Sequence, residues 1–96
     1  MTTKQRAYLK GLAMNIEPTF RIGKQSLTPE FCEGIREILE ARELIKVAVL
    51  QNCADEPKEL ARILSERTGA ETVQVIGKRI VLYRESKTQK KIELPR

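Results

Sequence analysis

The sequence predicts a compact, single-domain α/β fold with the element order α-β-α-β-α-β-β. Three segments show the 3.6-residue apolar periodicity of amphipathic helices, four short segments are rich in β-branched residues, and proline or glycine separates most of them. The chain has 96 residues, of which 41% are hydrophobic, enough for one core. Because strands alternate with helices before a final hairpin, we expect a mixed four-stranded sheet packed with helices.

The first helix is predicted from Lys4 to about Ile16. Apolar side chains recur on one face of this segment, at Leu9, Leu12, Ala13 and Ile16. Glu17-Pro18 ends the helix, because a residue that precedes proline avoids helical backbone angles. The next four residues, Thr19–Ile22, are predicted to form the first strand.

The second helix is predicted over Pro29–Arg42, with Thr28 as its N-cap. Proline suits the first helical position, where its missing N–H would have had no partner in any case. One face of the helix is apolar, and the other carries the acidic residues Glu30, Glu33, Glu37 and Glu40. The apolar run Leu44–Leu50 follows and predicts a central strand covered on both faces.

The third helix is predicted to begin after a cap at Asp55 and to end at Gly69, which accepts a left-handed conformation without strain. Two strands and the two-residue turn between them complete the fold: Glu71–Ile76, Arg79–Arg84 and Gly77-Lys78. The domain is therefore expected to span residues 1–84. Residues 85–96 are predicted to be a basic, loosely ordered tail, on which Ile92 and Leu94 could still dock.

Composition narrows the classes of function. A net charge of +5 favours a polyanionic partner such as nucleic acid. The chain has no histidine and only two cysteines, so neither a common zinc site nor the most common general base can be assembled. We therefore predict a protein that is not an enzyme and uses neither a cofactor nor a metal. No apolar run is long enough to span a membrane and no signal peptide is visible, so a cytoplasmic location without membrane association is expected.

The charge is distributed unevenly along the chain. Residues 28–43 carry five acidic and two basic side chains, a net charge of −3. Since the whole chain carries +5, the remaining residues carry +8. The second helix should repel a phosphate backbone and is expected to face away from it.

A candidate anion site lies between the first strand and the second helix. The basic turn that begins at Gly23-Lys24 joins a strand to a helix N-terminus, an arrangement that can direct backbone N–H groups toward a phosphate. A simple strand-to-helix connection is an equally good interpretation of the same residues. Further cations could extend a phosphate-binding surface, and these are Lys4, Arg6, Lys10, Arg21, Lys46, Lys78, Arg79 and Arg84.

Several strings of residues together resemble the CRM family (chloroplast RNA splicing and ribosome maturation), in particular its stand-alone bacterial YhbY-like members. The resemblance covers residues 3–84 in order, and the strings are Gln5–Leu9, Phe20–Lys24, Leu27-Thr28, Glu43–Val47, Val73–Gly77 and Ile80–Arg84. It implies a fold similar to that of the C-terminal domain of initiation factor three. It also implies binding to structured ribosomal RNA during assembly of the large ribosomal subunit.

In the family, the turn after the first strand is a GxxG loop that clamps RNA backbone. The corresponding residues here are Gly23, Lys24, Gln25 and Ser26, so serine replaces the last glycine. Serine would cost about 1 kcal/mol if the position requires a positive φ. Alternatively, its hydroxyl could donate a hydrogen bond to a phosphate.

We therefore expect a monomeric RNA-binding protein that recognises RNA mainly by shape, since only four aromatic residues are available for stacking. Two alternatives remain open from the sequence. The acidic second helix could be the working face of a protein-interaction module. The domain could also bind single-stranded RNA in a sequence-specific manner, as KH domains do.

Overall fold

The computed structural model describes all residues, 1–96, and shows three helices and four strands in the predicted order. The helices are α1 (Thr3–Ala13), α2 (Pro29–Arg42) and α3 (Pro57–Thr68). The strands are β1 (Phe20–Ile22), β2 (Leu44–Val49), β3 (Glu71–Ile76) and β4 (Arg79–Tyr83). No helix is long and apolar enough to cross a membrane.

The four strands form one mixed sheet in the order β1-β2-β4-β3. β1 runs parallel to β2, and the other two neighbouring pairs are antiparallel. The predicted hairpin turn is present between β3 and β4, where Gly77 has a φ of +53°. The α/β fold class, the element order and the mixed four-stranded sheet predicted from the sequence are thus confirmed.

Each face of the sheet packs against helices, because apolar residues alternate between the two faces along the strands. α2 and α3 cover one face with the larger core cluster, to which the sheet contributes Ile45, Val47 and Leu82 among others. α1 covers part of the other face, where Leu9 packs with Val81 in a smaller cluster. Both cysteines are buried and unpaired.

The first helix is shorter than predicted. It ends at Ala13, and the N–H of Met14 bonds back to the carbonyls of Gly11 and Leu12 instead of continuing the helix. Leu12, predicted to be part of the buried stripe, is 37% exposed, whereas Leu9 and Ala13 are buried as predicted. The helix begins with a capping box, in which Thr2 and Gln5 each accept a hydrogen bond from the other's backbone N–H.

The cap of α3 also differs from the prediction. Glu56 occupies the N-cap position and its side chain makes no capping hydrogen bond. Asp55, which was expected to cap, accepts a hydrogen bond from the Ser26 hydroxyl instead. At the other end, Gly69 has the predicted left-handed conformation, with a φ of +77°.

The segment after β4 is held against the domain, which corrects the expectation of a loosely ordered tail. The Glu43 carboxylate is fully buried and accepts hydrogen bonds from the backbone N–H groups of Ser86, Lys91 and Ile92, at 2.6–2.8 Å. Glu40 accepts further bonds from residues 86–88. Ile92 and Leu94 pack against the α1 cluster.

Candidate nucleic-acid interface

The loop between β1 and α2 is fixed by packing on both sides. The rings of Phe20 on β1 and Phe31 on α2 meet edge to face, with centroids 5.5 Å apart. Thr28 caps α2 by accepting a hydrogen bond from the N–H of Phe31, and Pro29 occupies the first turn, as predicted. The loop thus joins two elements that are locked together, which limits how far it can move.

Within this loop, the backbone is arranged as a tight turn with free donors. The N–H of Ser26 bonds to the Gly23 carbonyl at 3.0 Å and closes the turn. The N–H groups of Lys24 and Gln25 have no acceptor within the protein, and both residues are exposed. A phosphate approaching the loop would therefore meet two unpaired backbone donors next to a lysine.

The structure shows both the φ of Ser26 and the partner of its hydroxyl group. Its φ is +55°, so the position does require the left-handed conformation that glycine adopts without strain. Its hydroxyl lies 2.5 Å from a carboxylate oxygen of Asp55 and donates to it. The hydroxyl is therefore already engaged, and a negative charge lies beside the loop.

Gly23 has no positive φ, and a side-chain carbon at this position would make only ordinary van der Waals contacts. A side-chain carbon at this position would lie 3.4 Å from Oδ1 of Asn52 and 3.6 Å from Leu50. The loop therefore packs closely on the turn that follows β2. These contacts place the loop at the end of the sheet where β2 terminates.

The same end of the sheet carries other predicted cations. Lys78 lies in the hairpin turn, and its carbonyl accepts a hydrogen bond from the N–H of Val49, the last residue of β2. Arg21, Ala48 and Arg79 are aligned across β1, β2 and β4. Since neighbouring residues in register point to the same side of a sheet, both arginines lie on the face that α1 covers only in part.

Three predicted cations meet in one recess on that face. Lys10 of α1, Lys46 of β2 and Arg79 of β4 line a cavity of about 160 Å³ beside the C-terminal end of α1. None of the three forms an ion pair with a carboxylate. The same holds for Lys4, Arg21, Lys24 and Lys78, so the charge of this surface is not neutralised from within the protein.

Two of the predicted cations are used by the fold itself. Arg6 donates to the carbonyls of Thr72 and Val73, where a β-bulge interrupts the pairing of β3 with β4. A bulge leaves backbone groups without ladder partners, so the guanidinium supplies the missing donor. Nothing in the sequence indicates where this bulge lies.

Arg84 lies on the opposite side of the sheet from the recess. Its guanidinium donates to the carbonyl of Thr68 at the end of α3 and to that of Arg36 in α2, and it forms a 3.6 Å ion pair with Glu40. Carbonyls at a helix C-terminus lack intrahelical partners, which accounts for the bond to Thr68, the last residue of α3. Arg84 is thus occupied within the protein and does not join the other cations.

Glu43 was not recognised from the sequence as a key residue. It follows α2 with a φ of +67°, at a position where glycine is usual. Burial acts to raise the pKa of its carboxyl, but the N–H groups of Ser86, Lys91 and Ile92 outweigh burial and lower it. One feature of the sequence could have indicated its role: Glu43 lies between a helix and a strand, at a position where a turn residue such as glycine would be expected.

Comparison with known proteins agrees with this architecture. The CRS1/YhbY (CRM) domain model matches residues 1–84. The chain is 45% identical over 95 residues to the Bacillus subtilis (strain 168) protein named "Probable RNA-binding protein YqeI", covering 99% of each. It is 38% identical over 96 residues to a Haemophilus influenzae protein named "RNA-binding protein", covering 100% of this chain and 96% of that one.

A solved structure is also similar along its whole length. The solution structure of the hypothetical protein SAV1595 from Staphylococcus aureus, described as a candidate RNA-binding protein, superposes with a TM-score of 0.82. The two sequences are 57% identical, and the match covers 99% of both chains. Family model, relatives and fold agree, and the chain belongs to the CRS1/YhbY (CRM) domain family.

Proposed function

We propose that this protein binds structured ribosomal RNA, as a monomer, during assembly of the large ribosomal subunit. The observation that carries the proposal is the group of unpaired cations on and beside the α1 face of the sheet, hereafter the basic face, comprising Lys10, Arg21, Lys24, Lys46, Lys78 and Arg79. The relatives carry names that identify them as RNA-binding proteins, which supports RNA as the polyanion.

The loop supplies the central contact. The free N–H groups of Lys24 and Gln25 receive a backbone phosphate, the Gly23 carbonyl closes the turn that presents them, and the Lys24 side chain adds charge. Arg21 and Arg79 continue the track across the sheet, while Lys4 lies at its margin on α1. Arg6 and Arg84 support the fold and are removed from the list of direct contacts.

Salt dependence tests the electrostatic part of the proposal. With roughly 4 to 6 phosphate contacts, affinity for a folded ribosomal RNA fragment should fall about 10²- to 10³-fold between about 50 and 200 mM salt. Fluorescence anisotropy across that range measures it. A flat response would contradict the proposal.

Charge-neutralising variants test the location of the surface. Lys24→Gln and Lys46→Gln should each weaken binding and reduce the slope of log affinity against log salt by about one. Lys58→Gln is the control, because Lys58 is exposed, as Lys24 is, but belongs to α3 on the opposite face. Equal losses for all three variants would show that net charge alone matters.

Crosslinking in cells tests the target. Adducts mapped to nucleotides should concentrate in large-subunit ribosomal RNA and its precursors. Adducts spread mainly over messenger RNA would contradict the ribosomal part of the proposal while leaving RNA binding in place. An unstructured RNA of equal length, used as competitor in vitro, separates recognition of RNA shape from binding to single strands.

A further inference from the structure

The recess beside α1 has apolar walls that the fold does not cover. Ala13 and Val81 form buried parts of its lining, whereas Met14 and Ile76 stand at its edge, 81% and 59% exposed. These two are the most exposed large hydrophobic side chains of the chain. Exposed apolar side chains grouped around a concave surface are typical of a binding site.

The polar groups of the recess are also without strong partners. Lys10 and Lys46 make no hydrogen bond or ion pair within the protein, and neither does the side-chain amide of Gln74. Arg79 has only a long hydrogen bond of 3.5 Å to the carbonyl of Lys78. Three cations and one amide therefore surround an apolar centre and are free to contact a ligand.

On the basis of the RNA binding proposed above, we infer that this recess holds one unpaired base that projects from a structured RNA. A cavity of about 160 Å³ suits a single ring system, since pockets for drug-sized molecules begin at about 300 Å³. The base would lie against the Met14 thioether and Ile76, because sulfur makes favourable contacts with aromatic rings. Its phosphates would be held by the lysines.

Two features give the recess a means of reading the base. The Gln74 amide offers both a donor and an acceptor to the edge of a base. The planar guanidinium of Arg79 can stack on its face, as arginine does in RNA complexes. The recess therefore offers one base a stacking surface of the kind that aromatic side chains offer in other proteins. This chain has no tryptophan and only four aromatic residues.

The test compares two RNA hairpins that differ by one nucleotide. One is fully paired, and the other carries a single unpaired 2-aminopurine in the stem. The wild-type protein should prefer the second by about fivefold to tenfold and should change the fluorescence of the 2-aminopurine. Met14→Ala and Gln74→Ala should abolish this preference while affinity for the paired hairpin stays the same.

Leu12→Ala is the matched control, since Leu12 is an exposed apolar residue of α1 that does not line the recess. It should leave the preference unchanged. Equal affinity of the wild-type protein for both hairpins would overturn the inference, and so would a Met14→Ala variant that keeps the preference. An abasic nucleotide that binds as well as 2-aminopurine would show that the recess contacts only the backbone, which also overturns it.

The two proposals fail in different ways. Loss of salt-dependent binding to the paired hairpin would contradict the RNA-binding function itself. Salt-dependent binding to that hairpin without any gain from the unpaired nucleotide would contradict only the inference about the recess.

Discussion

At the scale of single residues, Ser26 has a conformational cost that glycine would not have, and its hydroxyl makes a hydrogen bond to Asp55 that glycine could not make. A serine with a φ of +55° is less stable than glycine in the same conformation, by about 1 kcal/mol. The hydrogen bond from Ser26 to Asp55 offsets part of that cost. It also keeps an anion next to the backbone N–H groups that we propose contact phosphate.

Asp55→Asn should therefore strengthen RNA binding. Removing one negative charge several ångströms from a phosphate should raise affinity by about twofold to fivefold at low salt, and the gain should shrink as salt screens the charges. Anisotropy titrations at two salt concentrations measure this. Glu56→Gln is the control, because Glu56 is the adjacent exposed carboxylate and makes no hydrogen bond to the loop. An equal gain from both variants would contradict a specific effect of Asp55.

At the scale of elements, periodicity and end signals predicted all seven helices and strands, because each has a buried face or a cap that follows from local residues. Thr28 with Pro29 and the glycines at 69 and 77 acted as expected. Long-range hydrogen bonds were not predictable in the same way. Arg6 pairs with carbonyls 66 and 67 residues away, at a bulge that no local pattern reveals.

The hydrogen bonds at the acidic C-terminal end of α2 could not be predicted from local sequence patterns either. Glu40 and Glu43 look like two more charges of a solvated helix, yet they accept most of the hydrogen bonds that attach residues 86–92. The hydroxyl of Thr88 and the N–H of Lys87 lower the pKa of Glu40 to about 2. The pKa of Glu43 is also lowered, by hydrogen bonds that outweigh its burial.

We predict that acid detaches this segment. Because both pKa values are lower in the folded protein, the unfolded chain binds protons at higher pH than the folded chain does. The stabilisation is therefore complete above the ordinary pKa of 4.5 and is lost as the pH falls toward about 2. Amide NMR signals of residues 86–92 should move over that range before those of the sheet change.

Glu43→Gln should detach the segment already at neutral pH, because a neutral amide accepts hydrogen bonds less strongly than a carboxylate does. Glu37→Gln should have no effect, because Glu37 is exposed on α2 and has no hydrogen-bond partner. Signals from residues 86–92 that stay in place down to about pH 2 would contradict the assignment of these carboxylates.

At the scale of the whole molecule, α1 and the α2–α3 pair lie on opposite sides of one sheet. α1 carries no acidic residue, whereas α2 carries four acidic and two basic residues, so the charge differs between these two helices. The unpaired cations lie on and beside the α1 face, whereas Glu30 and Glu37 are exposed on α2. The sequence indicated this polarity through the net charge of residues 28–43. It could not indicate which cations would meet, because Lys10, Lys46 and Arg79 come from three elements.

This polarity allows the acidic face to be tested as the site of a protein partner. If the basic face binds RNA, Glu30→Gln with Glu37→Gln should leave co-sedimentation with large-subunit precursors within about twofold of wild type, because exposed charges far from the ligand are screened. Lys24→Gln with Lys46→Gln should release the protein from the same particles. Suppose instead that the variant with Glu30→Gln and Glu37→Gln is released from the particles although its binding to naked RNA is unchanged. That result would show that α2 contacts a protein of the particle and that the basic face does not suffice for docking.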